Sequence, residues 1–127
     1  MLLNEPELAI FRDVEKVPKL WGCEYVLVNT PKYCLKFLKI IPGFRCSVHA
    51  HKKKDETFVG WSGTVQLNIY DDNGMITHWI GIDPGSQVRI PPNTYHSFQA
   101  HNVSWILEVS SHHDDKDVVR LEESRRL

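Results

Sequence analysis

The chain has 127 residues, 42% of them hydrophobic and 24% charged, with a formal net charge of −1. That length supports one core and not two, and the near-neutral charge gives no basis for binding nucleic acid or an anionic membrane surface. No apolar run approaches the roughly 18 residues of a spanning helix, and the N-terminus lacks the basic-then-apolar plan of a signal peptide, so a cytoplasmic protein is expected.

The first twenty residues read as an extension, with Asn4 before Pro6 placed to cap a short helix through Ala9 to Phe11. From Trp21 onward the texture is that of strands. Glu24 to Asn29 and Tyr33 to Ile41 are rich in β-branched and aromatic residues, with Thr30-Pro31 as the turn between them. Arg45 to His51 alternates, which puts Arg45, Ser47, His49 and His51 on one face. Thr57 to Trp61 and Thr64 to Tyr70 follow. Asp72-Asn73-Gly74 then signals a hairpin, because Asn-Gly suits the positive φ angles of a type I′ turn. Met75 to Ile80, Gln87 to Ile90, Tyr95 to His101 and Val103 to Ser110 complete the clear strands, and Asp117 to Leu121 reads as an edge strand. About ten short strands, with turn signals every 8 to 12 residues, predict an antiparallel sandwich or barrel in a single domain over residues 1–127. Cys23, Cys34 and Cys46 are odd in number and lack metal-binding or CxxC spacing, so they read as reduced thiols.

Within this frame the run Gly43 to Gly63 carries the chemistry. His49 and His51 lie two apart on one strand face, so both imidazoles can close on one ion. Glu56 follows after a basic turn, and His96, in IPPNTYHSF, is the best candidate for a fourth ligand. Nitrogen and carboxylate donors without sulfur suit manganese, iron, nickel or zinc.

The spacing of Gly43, His49, His51, Glu56 and Gly63 matches the first sequence motif of the cupin superfamily at every position. Gly85, Pro91 and His96 fall in register with the second motif, in which Asn93 replaces a Gly and Ala100 an Asn. Asn tolerates the left-handed backbone that a turn Gly would adopt, and Ala100 is not at a ligand position. The resemblance covers residues 21–121. It implies an all-β double-stranded β-helix, a jelly-roll barrel with little helix, and a divalent metal held by His49, His51, Glu56 and His96. HAHKKKDE, read as HxHxxKxE, resembles the cupin sugar isomerases of the D-lyxose isomerase type. The ending ILEVSSHHDDKDVVRLEESRR is similar to the tails of mannose-6-phosphate isomerase-like cupins.

Those resemblances imply a metal-dependent aldose–ketose isomerase acting on a sugar or sugar phosphate and working as a homodimer. Lys54, two residues before Glu56, and Glu108, on the last strand, are the expected catalytic groups. Arg45, Gln66 and Tyr95 are the expected substrate contacts. His112 and His113, beside two aspartates, read as an exposed polar loop. The competing readings are an iron-dependent dioxygenase, which wants a more apolar pocket, and a carbohydrate-binding or regulatory cupin without catalysis. The latter is favoured if Lys54 and Glu108 both face solvent.

Overall fold

The computed structural model describes residues 14–127; the short helix expected before Phe11 lies outside them. Strands dominate: β1 Glu15–Lys19, β2 Gly22–Asn29, β3 Cys34–Ile40, β4 Phe44–Arg45, β5 Val48–His51, β6 Glu56–Ser62 and β7 Val65–Tyr70 come first. β8 Ile76–Ile82, β9 Gln87–Ile90, β10 Tyr95–Ala100, β11 Ser104–Ser110, β12 Val118–Glu122 and β13 Arg125–Arg126 follow. The helical element among the described residues is a single 3₁₀ turn, Asp115–Asp117. None of their helices is long and apolar enough to cross a membrane.

All pairings are antiparallel and make two sheets. One runs β1-β2-β3-β11-β6-β9; the other places β7 and then β8 on one side of β10, with β5 and β4 on its other side, flanked by β12 and β13. This is the antiparallel arrangement expected from the strand pattern and the jelly-roll that the resemblance implies. Pairing also extends beyond residues 21–121, because β1 pairs with β2 and β13 with β4. Trp21, Leu38, Phe58, Leu67, Phe98 and Ile106 are among the buried side chains that fill the space between the sheets. Each large apolar side chain buried there contributes about 1.5–3 kcal/mol. A smaller cluster of Tyr25, Phe37 and Trp105 packs apart from this core. All three cysteines are free.

Two local features depart from the sequence reading. The Asp71–Met75 hairpin forms, but not through a type I′ turn: Gly74 has φ 82° and Asn73 does not have a positive φ. Asp71 Oδ1 instead accepts from the backbone N–H groups of Asn73 and Met75, and its carbonyl accepts from Gly74 N–H. That is a turn nucleated by an aspartate side chain and closed by a left-handed glycine.

The second departure is in the expected strand Arg45 to His51, which is broken into β4 and β5. His49 sits opposite His96, but Arg45 sits opposite Gln99, so the register against β10 slips by one residue across Cys46-Ser47. A one-residue slip reverses which side chains face inward. Arg45 therefore lies on the opposite face from His49. Asn93 takes the left-handed conformation expected of it, with φ 63°.

Candidate metal centre and active site

The second sheet delivers three histidines to one point. His49 and His51 come from β5 and His96 from the directly opposed position on β10. One nitrogen from each lies within 4.8 Å of the others. Glu56 opens β6 in the facing sheet and reaches across: its Oε1 is 2.8 Å from His96 Nε2 and its Oε2 is 3.8 Å from His51 Nε2.

Hydrogen bonds on the far side of two rings fix their orientation. His96 Nδ1–H donates to the Thr94 carbonyl at 2.8 Å, and His49 Nδ1 lies 2.9 Å from the Ser47 carbonyl. With those protons on Nδ1, each Nε2 presents a lone pair to the cluster, the arrangement that orients metal-binding imidazoles. His96 Nε2, both Glu56 oxygens and His51 Nδ1 are buried without a hydrogen-bond partner. A lone pair and a carboxylate oxygen 2.8 Å apart repel unless a cation or proton is shared between them, and unpaired buried polar atoms cost free energy. The N₃O donor set therefore fits a divalent cation. Burial, with the neighbouring imidazole of His96, pushes His49 down to about 3; burial is also the main reason His51 falls to about 4. Both rings are neutral near pH 7, the state that offers lone pairs. Burial alone would raise Glu56, but the adjoining His96 ring and the Lys54 ammonium hold it below the usual carboxylate range.

Beside the histidines lies a buried ion pair. Lys54 is 3% exposed and Glu108 6%; Lys54 Nζ donates to Glu108 Oε2 at 2.7 Å and lies 3.3 Å from Glu56 Oε2. Burial would lower the Lys54 ammonium, but Glu108 and Glu56 outweigh it and hold the group above its ordinary value. Lys54 is not the solvated tip that a run of three lysines suggests, because Asp117 captures the turn. Its Oδ1 accepts from Lys53 N–H at 2.9 Å, and its Oδ2 accepts from Lys54 N–H at 3.0 Å. The sequence pattern places Asp117 in an edge strand; its side chain instead sets the path of the turn that carries Lys54.

These groups line a cavity of about 270 Å³, whose walls also include Trp21, Leu38, Phe58 and Phe98 and the charged Lys36, Glu24, Arg120 and Glu123. Its size is near the lower end for small-molecule pockets. Lys36, a buried cation missed in the sequence reading, donates to Glu24 Oε1 at 3.0 Å on the cavity wall.

The three residues expected to touch substrate do not line this cavity. Arg45 is turned away by the β4–β5 slip and donates to the Cys46 and Glu123 carbonyls, both at 3.1 Å. Gln66 is opposite Gln99 on β7, and Tyr95 shares that face of β10, whereas His96 and Phe98 face inward. Gln66 Nε2 donates to Asn68 Oδ1 in a polar network with Ser97, Gln99 and Tyr70.

No family model matches the chain. Among curated proteins, it is 35% identical over 113 residues to the D-lyxose/D-mannose isomerase of Thermosediminibacter oceani, covering 72% of this chain and 62% of that protein. It is 34% identical over 116 residues to the D-lyxose ketol-isomerase of a Thermofilum species, covering 73% and 64%. The chain thus spans less than two thirds of the length of these relatives. Among solved structures, oxalate decarboxylase from Bacillus subtilis superposes with a TM-score of 0.74 at 19% identity, over 87% of this chain and 31% of that one. A further structure of that enzyme, described for its Mn(II) centres, has a TM-score of 0.73. At this identity the likeness concerns the fold. The chain has a cupin-type fold and resembles the D-lyxose isomerases in sequence.

Proposed function

We propose that this chain is a metal-dependent sugar isomerase, interconverting an aldose such as D-lyxose or D-mannose with its ketose. The observation that carries the reading is the buried Lys54–Glu108 pair set against the His49, His51, His96 and Glu56 cluster in one cavity. A non-catalytic binding module has no need to sustain that cost, since replacing a buried ion pair by apolar groups is often neutral or stabilising.

His49, His51, Glu56 and His96 would hold one divalent ion, with manganese, iron, zinc and nickel all compatible with the donors; when bound it supplies Lewis-acid polarisation of the sugar oxygens. Glu108 Oε2 is occupied by Lys54, which leaves Oε1 to take the proton from C2 of the open-chain aldose and return it to C1. The hydroxyl proton passes from O2 to O1 within reach of the Lys54 ammonium. That ammonium stays charged between its two carboxylates and donates to the oxygen that gains negative charge. Trp21, Phe58 and Phe98 give the sugar an apolar wall and keep bulk water from the reacting carbons.

The same reading takes residues 21–121 as one barrel domain of a cytoplasmic homodimer. Strand β8 supports a second copy: among the described residues it pairs only with β7, and its Trp79 is 68% exposed. Such an edge invites a partner. Light scattering tests the dimer.

The activity test is incubation of the metal-loaded protein with D-lyxose, D-mannose and their phosphates in D₂O, followed by NMR. The expected result is a ketose, with turnover abolished in Glu108→Gln. Absence of conversion for every aldose would overturn the isomerase reading. Unchanged turnover in Glu108→Gln would remove Glu108 as the proton carrier.

A further inference from the structure

The Lys54 ammonium has three polar neighbours. Two are the carboxylates already described, Glu108 as a hydrogen-bond acceptor and Glu56 as an ion-pair partner; the third is His113 Nδ1, at 3.2 Å. His113 comes from the stretch after β11 that reads, in sequence, as an exposed polar loop. Its ring is instead 22% exposed and lines the cavity. On the other side His113 Nε2 lies 2.8 Å from Asp115 Oδ1. One neutral tautomer satisfies both contacts: Nε2 carries the proton and donates to Asp115, which leaves the Nδ1 lone pair to accept from Lys54.

The backbone around His113 is tied down as well. Asn29 at the end of β2 donates from Nδ2 to the His113 carbonyl and accepts His113 N–H at Oδ1, both at 3.1 Å. His112 Nδ1 lies 2.9 Å from the Thr30 carbonyl. The Asn29 side chain and the Thr30 carbonyl thus hold a loop that follows β11 against the active-site lysine.

We propose that His113, fixed in one tautomer by Asp115, is a positioning residue for Lys54: it aims the ammonium between Glu108 and Glu56. This deepens the isomerase reading and rests on it for its kinetic consequence. Both ring nitrogens are committed, one to Lys54 and one to Asp115, so His113 has no polar atom left for the sugar. Its loss should therefore appear in kcat and spare KM. A hydrogen bond to a charged group carries enough free energy for its removal to slow turnover about ten- to a hundred-fold.

The test compares His113→Leu with His113→Asn, whose amide oxygen occupies the position of Nδ1 and keeps an acceptor there. Two readouts are taken. In kinetics, His113→Leu is expected to lose about ten- to a hundred-fold in kcat with KM within about three-fold, His113→Asn to recover most of it, and Asp115→Ala to fall between. In ¹H–¹⁵N NMR of the lysine NH₃⁺ groups, Lys54 should give a slowly exchanging signal in the wild type and His113→Asn that is lost in His113→Leu. The NMR readout needs no turnover, so a wild type inactive on every aldose would overturn the isomerase reading while leaving the positioning role measurable. A retained Lys54 signal with unchanged kcat in His113→Leu overturns the proposal. So does an effect confined to KM, which would make His113 a substrate contact.

Discussion

Replacing Lys54 by Met removes the cation between two buried carboxylates while nearly preserving side-chain volume. Glu108 is 6% exposed and Glu56 2%, and their oxygens lie 2.7 and 3.3 Å from Nζ. Neither carboxylate can turn to water, so little of the cost is screened. Breaking a buried pair by deleting one partner costs about 3–5 kcal/mol. For a domain of this size that corresponds to a Tm lower by about 12–20 °C, at about 4 °C per kcal/mol. The assay is urea unfolding of metal-free protein followed by tryptophan fluorescence, with wild type, Lys54→Met, Glu108→Gln and the double variant. The double variant should be more stable than Lys54→Met alone by about 1–2 kcal/mol, since it removes one of the stranded charges. A Lys54→Met loss under about 1 kcal/mol, the range of solvated surface pairs, would refute the claim that this pair is sequestered.

Other outcomes follow from the same structure. His49 and His51 have folded-state values of about 3 and about 4 against an ordinary 6.5, so below pH 6.5 the unfolded chain binds more protons than the native one. Stability of the metal-free protein is therefore complete above about pH 6.5 and falls toward pH 4, by up to about 1.4 kcal/mol per pH unit for each group; a flat profile over that window would contradict it. Asn93→Ala, at φ 63°, should cost about 1–2 kcal/mol in the same assay and Asn93→Gly close to nothing. Arg45→Ala should destabilise the chain through release of the Glu123 carbonyl while leaving KM for the sugar unchanged, and a large KM increase would return Arg45 to the cavity.

The strands were legible because alternation and turn chemistry are local. Asp72-Asn73-Gly74 marks the hairpin correctly even though the Asp71 carboxylate, and not the Asn-Gly pair, sets the turn. The histidines and Glu56 were legible because close spacing on strands already fixes their faces. The place of Arg45 depends on a single register slip. Continuous alternation put Arg45 beside His49, and the break at Cys46-Ser47 moved it to the other side of the sheet. Gln66 and Tyr95 lie off the cavity, and no local signal says which face of β7 or β10 is inward; His96 and Phe98 answer that for β10 only once the barrel closes. Lys54 with Glu108, Asp117 with the lysine turn, and His113 with Asn29 are pairings across 54, 63 and 84 positions, as the separations of their hydrogen bonds record. Residue type alone shows none of these pairings; Lys54 and Glu108 stand out in the sequence only through the resemblance to the sugar isomerases.

The central claim is that His49, His51, Glu56 and His96 form one divalent-cation site. Its most direct test is titration of chelator-treated protein with Mn²⁺, followed by electron paramagnetic resonance of free ion and calorimetry, for the wild type and for His96→Ala. The account predicts one ion per chain in the wild type and none taken up by His96→Ala, with the variant still folded by circular dichroism. Absence of binding in the wild type, or unchanged binding in His96→Ala, would contradict it.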